Sequence, residues 1–260
     1  WNTDWRKPLS ATLSLPAPGA DLIALKVFRD DGQGLFSYLE NALRWVVVHA
    51  DQFNVGVVNL SLGDGGNWNA AIARFGLGDE LAALAAHNII VTAAAGNNFA
   101  RFGGAWGVAY PAADPAVLAV GATWSADSGG PWAFGSGATD YTTGADRVAS
   151  FSQRDDALLD VVAPGTGLAG ANASGGISTL QGTSQASAMV AGVATLAQDL
   201  ALQTLGRRLS LAEFSQLLSA TSVHIVDGDD ENDNVRNSGL GFQRVDVQAL
   251  AEAILALSVG

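Results

Sequence analysis

Residues 55–97, VGVVNLSLGDGGNWNAAIARFGLGDELAALAAHNIIVTAAAGN, carry the alternation that decides the fold. Residues 55–60 form a short run rich in branched side chains, and residues 78–86 have the apolar spacing of a short helix. Asn88 then punctuates the chain before the β-rich Ile89-Ile90-Val91-Thr92, which ends in Ala93-Ala94-Ala95. Strand, helix and strand at these lengths imply a parallel pair joined by a crossover, since parallel neighbours cannot be closed by a tight turn. Such sheets carry helices on both faces, so their strands read as apolar throughout.

The pattern continues outward. LIALKVF at 22–28, between charged ends, has the length and branching of a buried strand, and it feeds a predicted helix over 34–50 with Leu35, Leu39, Leu43, Val46 and Val47 at helical spacing. Residues 117–163 are loop-rich, with VLAVGA and LLDVVAP as the clearest strands. A long helix is predicted over 184–205, with Ala186, Met189, Val193, Leu196 and Leu200 on one stripe and Gly206 as the stop. Ser210-Leu-Ala-Glu213 is a capping box opening a helix through residue 218, and a final helix covers 247–257. The expectation is an α/β protein, a three-layer α/β/α sandwich with a mostly parallel central sheet. With no repeat and no long linker, residues 1–260 are expected to form one domain.

Composition limits the partners. At 260 residues, 48% apolar and 15% charged, the chain is long enough to bury a core of its own. A net charge of −12 with only two lysines opposes binding to nucleic acid or anionic membranes. The absence of cysteine excludes disulfides and thiolate chemistry. Residues 81–95, interrupted by His87, Asn88 and Thr92, are too short and polar to span a bilayer. The first residue is Trp1, which suggests that something upstream has been removed or left out.

Gly182-Thr183-Ser184 places a hydroxyl at the mouth of the long helix, directly after a glycine that allows a sharp turn. A helix start directs amide groups and positive dipole toward incoming negative charge, so a serine there serves either as an N-cap or as a nucleophile. GTSQASAMVAG, residues 182–192, resembles the nucleophile motif of the subtilase family, Gly-Thr-Ser-x-Ala-Ser-Pro-His-Val-Ala-Gly, at all but the Pro-His pair, replaced by Ala188 and Met189. Ala93-Ala94-Ala95-Gly96-Asn97 looks like the family's oxyanion-hole motif, and Val57-Val58-Asn59-Leu60-Ser61-Leu62-Gly63 like the strand that lies along the substrate. Collinear matches at Ala17–Ala20, YPAADPAVLAVGAT from Tyr110, VASFSQRDDALLDVVAPGT from Val148 and GLGFQRVDVQAL from Gly239 extend the likeness over nearly everything after residue 16.

The resemblance implies a serine endopeptidase with Ser184 as nucleophile and Asn97 as oxyanion donor. Ser61, Leu62 and Gly63 would form one wall of the pocket for the residue before the cut, and Ala95 with Gly96 the opposite wall. A secreted or extracellular setting and a polypeptide substrate follow from the same likeness. Family members carry the triad in the order Asp, His, Ser. Both partners are expected before Asp21, yet residues 1–20 hold no histidine, no Asp-x-Gly strand end and no His-Gly-Thr-His helix start. His49, His87 and His224 read as surface or boundary residues. The chain is therefore expected to be N-terminally incomplete, with the missing segment of the same protease as its partner, and nearly inert alone. The alternative is a non-catalytic peptide-binding pseudoprotease. No cofactor is required. Asp227, Asp229, Glu231 and Asp233 alternate as weak candidates for a structural Ca²⁺, although the run lacks the glycine and distal glutamate of an EF-hand.

Overall fold

The computed structural model describes residues 17–172, 174–228 and 230–258. In chain order these form α1 (Phe36–His49), β1 (Val57–Leu60), α2 (Gly78–Ala86), β2 (Ile90–Ala94), β3 (Leu118–Thr123), β4 (Trp132–Ala133), β5 (Thr139–Asp140), β6 (Val161–Pro164), β7 (Leu168–Ala171), β8 (Ile177–Leu180), α3 (Thr183–Leu205), α4 (Leu211–Thr221), β9 (Val223–Val226), β10 (Gly241–Arg244) and α5 (Val247–Leu257). Six strands build the central sheet in the order β1-β2-β3-β6-β10-β9, every pair parallel except β10 with β9. Two ribbons, β4-β5 and β7-β8, stand apart.

Side chains alternate between two cores, as the period of a strand requires. Ile90, Leu118, Val120 and Ala122 face α3, α4 and α5, whereas Val91, Ala93 and Ala119 face α1 and α2. The three expected layers are present. Helix α3 crosses β1, β2, β3 and β6, and its buried face is mostly Ala and Val. That face differs from the predicted stripe: Leu196 is exposed, because a helix lying close on a sheet admits small residues at the contact and turns longer ones outward. By length and composition α3 could cross a membrane, yet it is the central packing helix, bonded to β1 and β2 through Ser187.

The run 22–28 is not a strand. Among the described residues it pairs only through the bridge of Phe28 with Gly34, and Leu22 is 67% exposed. Apolar, branched sequence favours a strand only where neighbours pair its edges and cover its faces. The same reason leaves β1 at the sheet edge, with only Leu60 buried. The capping box at Ser210 and Glu213 forms as expected, and α4 continues past residue 218 to Thr221.

A fully buried ion pair joins Arg154 to Asp227, residues 73 positions apart. Arg154 also donates to the carbonyls of Ser152, Ala149 and Ser150 and lies 4.0 Å from the Phe99 ring centroid. Asp227 accepts from Ser238 N–H and Oγ–H. Close by, burial first and then repulsion from Asp140 push the carboxyl of Asp233 up to about 6. Its raised value favours the protonated form, so this stabilising contribution is complete below about 4 and lost as pH rises through about 6. Asp233→Asn keeps an acceptor for Val235 N–H. It is expected to stabilise the protein by about 1–2 kcal/mol at pH 7.5, discounted for partial exposure, and by nothing near pH 3.5. Urea melts at both pH values check this; equal shifts at both would refute it.

Candidate active site

Chain order brings three backbone turns to the carboxyl-terminal ends of β1 and β2: Ser61–Gly63, Gly96–Asn97, and Gly182–Ser184 at the start of α3. In open α/β sheets this is where ligands bind. Thr183 sets the geometry. Its backbone N–H donates to Asn97 Oδ1 at 2.8 Å, its hydroxyl donates to the same oxygen at 2.9 Å, and that hydroxyl accepts from Gly96 N–H at 3.0 Å. With Oδ1 so occupied, the carboxamide has one orientation, and Nδ2 has no acceptor among the described residues. Asn97 is exposed and Ser184 half-buried, one residue beyond the threonine that holds it.

Ser184 and Ser61 are linked reciprocally. Ser184 Oγ donates to Ser61 O at 3.3 Å, and Ser61 Oγ donates to Ser184 O at 2.6 Å. Beneath them lies a polar web spanning both strands and the helix. Ser187 Oγ donates to Asn59 Oδ1 at 2.8 Å, Asn59 Nδ2 donates to Ser61 Oγ at 2.9 Å, and Thr92 Oγ1 donates to Ser187 O at 3.3 Å.

Gly63 and Gly96 face the same Ala109 methyl, since a Cβ on either would lie 3.1 and 3.3 Å from it. Ala95 is fully buried, its carbonyl accepting from Ala109 N–H, so it forms the layer beneath that wall while Gly96 reaches the surface. Leu62 is half-buried against the α1–α2 core.

Gln153, which no spacing in the sequence singles out, spans the cleft. Fully buried, it donates through Nε2 to Gly66 O at 2.9 Å and Asn67 Oδ1 at 2.7 Å, while Oε1 accepts from Asn98 N–H at 3.4 Å. It thus ties the loop after Gly63 to the turn that carries Asn97. Gly96 makes room for it: with φ +111 and a Cβ position 2.1 Å from Gln153 Oε1, only glycine fits.

None of the histidines joins this group. His49 ends α1 and His87 follows α2, each with Nδ1 2.8 Å from a carbonyl of its own helix, and both precede strand starts at the opposite end of the sheet. His224 lies in β9 at the far edge.

The described carboxylates of the acidic turn have separate partners. Asp227 faces Arg154 and Ser238, Glu231 accepts from Val148 and Gly228 N–H, Asp233 accepts from Val235 N–H, and Asp229 lies outside the described residues. Among the described residues no three His, Asp or Glu cluster as metal ligands.

A serine at a helix mouth, next to a threonine locked to a carboxamide at a strand tip in an α/β/α sandwich, is similar to the arrangement of α/β serine hydrolases that carry the nucleophile at a helix start. Residues 7–243 match the sequence model of the subtilase family, and the chain belongs to that family. It is 32% identical over 180 residues to subtilisin E of Bacillus subtilis (strain 168), covering 69% of this chain and 39% of the relative. To subtilisin-like protease 1 of Arthroderma gypseum it is 31% identical over 228 residues, covering 86% and 40%. It thus spans about two-fifths of the length of these relatives. The solved structure of the prenylagaramide maturation protease PagA shares the fold, with a TM-score of 0.61 at 23% identity over 88% of this chain and 71% of that one.

Proposed function

We propose that the chain supplies the nucleophile half of a secreted serine endopeptidase. Ser184 attacks the peptide carbonyl to form an acyl-enzyme, and Asn97 Nδ2, with the Ser184 N–H, receives the oxyanion. The observation that supports this is the Thr183 lock, which consumes Asn97 Oδ1 and leaves its two N–H donors without an acceptor among the described residues, on the turn held against the residue before Ser184. An extended peptide pairing with Ser61–Gly63 would displace the Ser184 hydroxyl from the Ser61 carbonyl. Ser184 has no histidine beside it among the described residues, so an upstream segment bearing Asp and His is proposed as the partner that activates it.

Labelling with a fluorophosphonate tests this. Joined to its upstream segment, the protein is expected to be labelled at Ser184 and to cleave peptides, and the present chain alone to react at least a thousandfold more slowly. A protein that binds peptides but leaves Ser184 unlabelled with the upstream segment present would be the pseudoprotease instead.

Attack by Ser184 with the oxyanion held by Asn97 requires no cofactor. Because Asp227, Glu231 and one oxygen of Asp233 already accept internal hydrogen bonds and Asp230 pairs with Arg147, the melting temperature is expected to be the same in chelator and in millimolar calcium. A rise of several degrees with calcium would show a bound ion.

A further inference from the structure

In this acidic chain most described cations pair with a carboxylate. Arg74 does not, and among the described residues its guanidinium donates no hydrogen bond. It is nevertheless held in place. Its central carbon lies 4.1 Å from the Trp68 ring centroid and 4.9 Å from that of Phe75. Each aromatic is itself fixed. Trp68 Nε1 donates to Asp64 Oδ2 at 2.9 Å, and its backbone exchanges hydrogen bonds with Val108. Phe75 stacks on Phe36 with centroids 4.0 Å apart and planes 5° from parallel, and it does so at φ +54. A bulky aromatic in the left-handed region is strained, and such strain persists where surrounding contacts impose it, commonly at binding sites.

This box adjoins the candidate groove. Asp64 follows Gly63 directly, its N–H donates to Tyr110 O, and its Oδ1 accepts from Gly66 and Tyr110 N–H. The Tyr110 ring in turn meets Phe36 and Phe75. Asp64 therefore orders the wall, with its oxygens directed to Trp68, Gly66 and Tyr110.

We propose that Arg74 is a preformed receptor for a carboxylate side chain on the peptide substrate, a few residues before the cut; this rests on the serine-endopeptidase reading above. A guanidinium suits the task because it stays charged and binds carboxylates through two parallel N–H groups. Its immobilisation between rings lowers the entropy lost on binding. On a surface of net charge −12, an unneutralised cation beside the groove also attracts an acidic segment that the rest of the molecule repels.

The test uses peptides that differ only in Glu or Gln before the cleavage site, assayed with the protease joined to its upstream segment. The Glu peptide is expected to be preferred about tenfold or more in kcat/KM at low salt, with the preference shrinking at high salt. Arg74→Gln should abolish the preference by lowering kcat/KM on the Glu peptide much more than on the Gln peptide, and Arg74→Glu should shift it toward a Lys peptide. Equal rates on both peptides for the unaltered protein, or a preference that survives Arg74→Gln, overturns the receptor. If neither peptide is cleaved and phosphonate spares Ser184, the peptidase reading fails instead. The receptor is then decided by titrating the same pair against the chain alone and following indole fluorescence. Binding of the Glu peptide that Arg74→Gln removes supports it, and equal binding or none overturns it.

Discussion

Asp227→Ala is expected to destabilise the protein by about 3–5 kcal/mol, because it leaves the Arg154 charge buried without a counter-ion. Both partners are wholly shielded from solvent, so water cannot replace the lost carboxylate without opening the structure. Ser238 loses its acceptor in the same step. Removing both charges, Arg154→Met with Asp227→Leu, is often nearly neutral for buried ion pairs in general. Here it should recover only part of the loss, since the Arg154 guanidinium also satisfies the carbonyls of Ala149 and Ser150 and its Nε that of Ser152. Urea unfolding of the single and double variants measures both effects. A cost below about 1 kcal/mol for Asp227→Ala would mean that Arg154 finds another route to solvent or charge.

Asn97→Leu, made in the protease joined to its upstream segment, is expected to lower kcat by roughly 10²–10³ with KM nearly unchanged. The scale is borrowed from subtilisin itself, where loss of one such side-chain donor has that consequence. The split between kcat and KM matters, because the oxyanion forms only after attack and a donor aimed at it contributes little to ground-state binding. Leucine also leaves Thr183 N–H and Oγ–H without the oxygen that accepts both. Asn97→Asp serves as the control: it keeps that acceptor but has no N–H to offer the oxyanion. If Asn97→Asp retains full kcat while Asn97→Leu does not, Asn97 acts by positioning Thr183 rather than by donating.

Much of this architecture was legible in the residues because its cause is local. The β1-α2-β2 crossover, the Gly206 stop with φ +70 and the Ser210 capping box each arise from chemistry within a few positions. Residues 22–28 show the limit of such reasoning. Their branched side chains suit a strand, but whether they form one depends on neighbours that the sequence of the segment does not specify. The motifs placed Ser184 and Asn97 on a helix mouth and a strand tip. They did not reveal that Thr183 fixes the amide orientation, or that Gln153 ties the opposite loop to the same turn, since these contacts join residues 55 to 87 positions apart. The Arg154–Asp227 pair was hidden in the same way, and in the sequence Asp227 stood out only as one of four alternating acids that could hold Ca²⁺.

The web of Asn59, Thr92 and Ser187 anchors the first turns of α3 to two strands of the sheet rather than to any surface loop. The Ser184 hydroxyl therefore takes its position from the regular interior of the layers, while the groove rim, including residues 64–77, is borne on connections between strands and helices. Selectivity for new peptides could accordingly diverge within such a scaffold by remodelling its margins alone, with the chemistry left undisturbed.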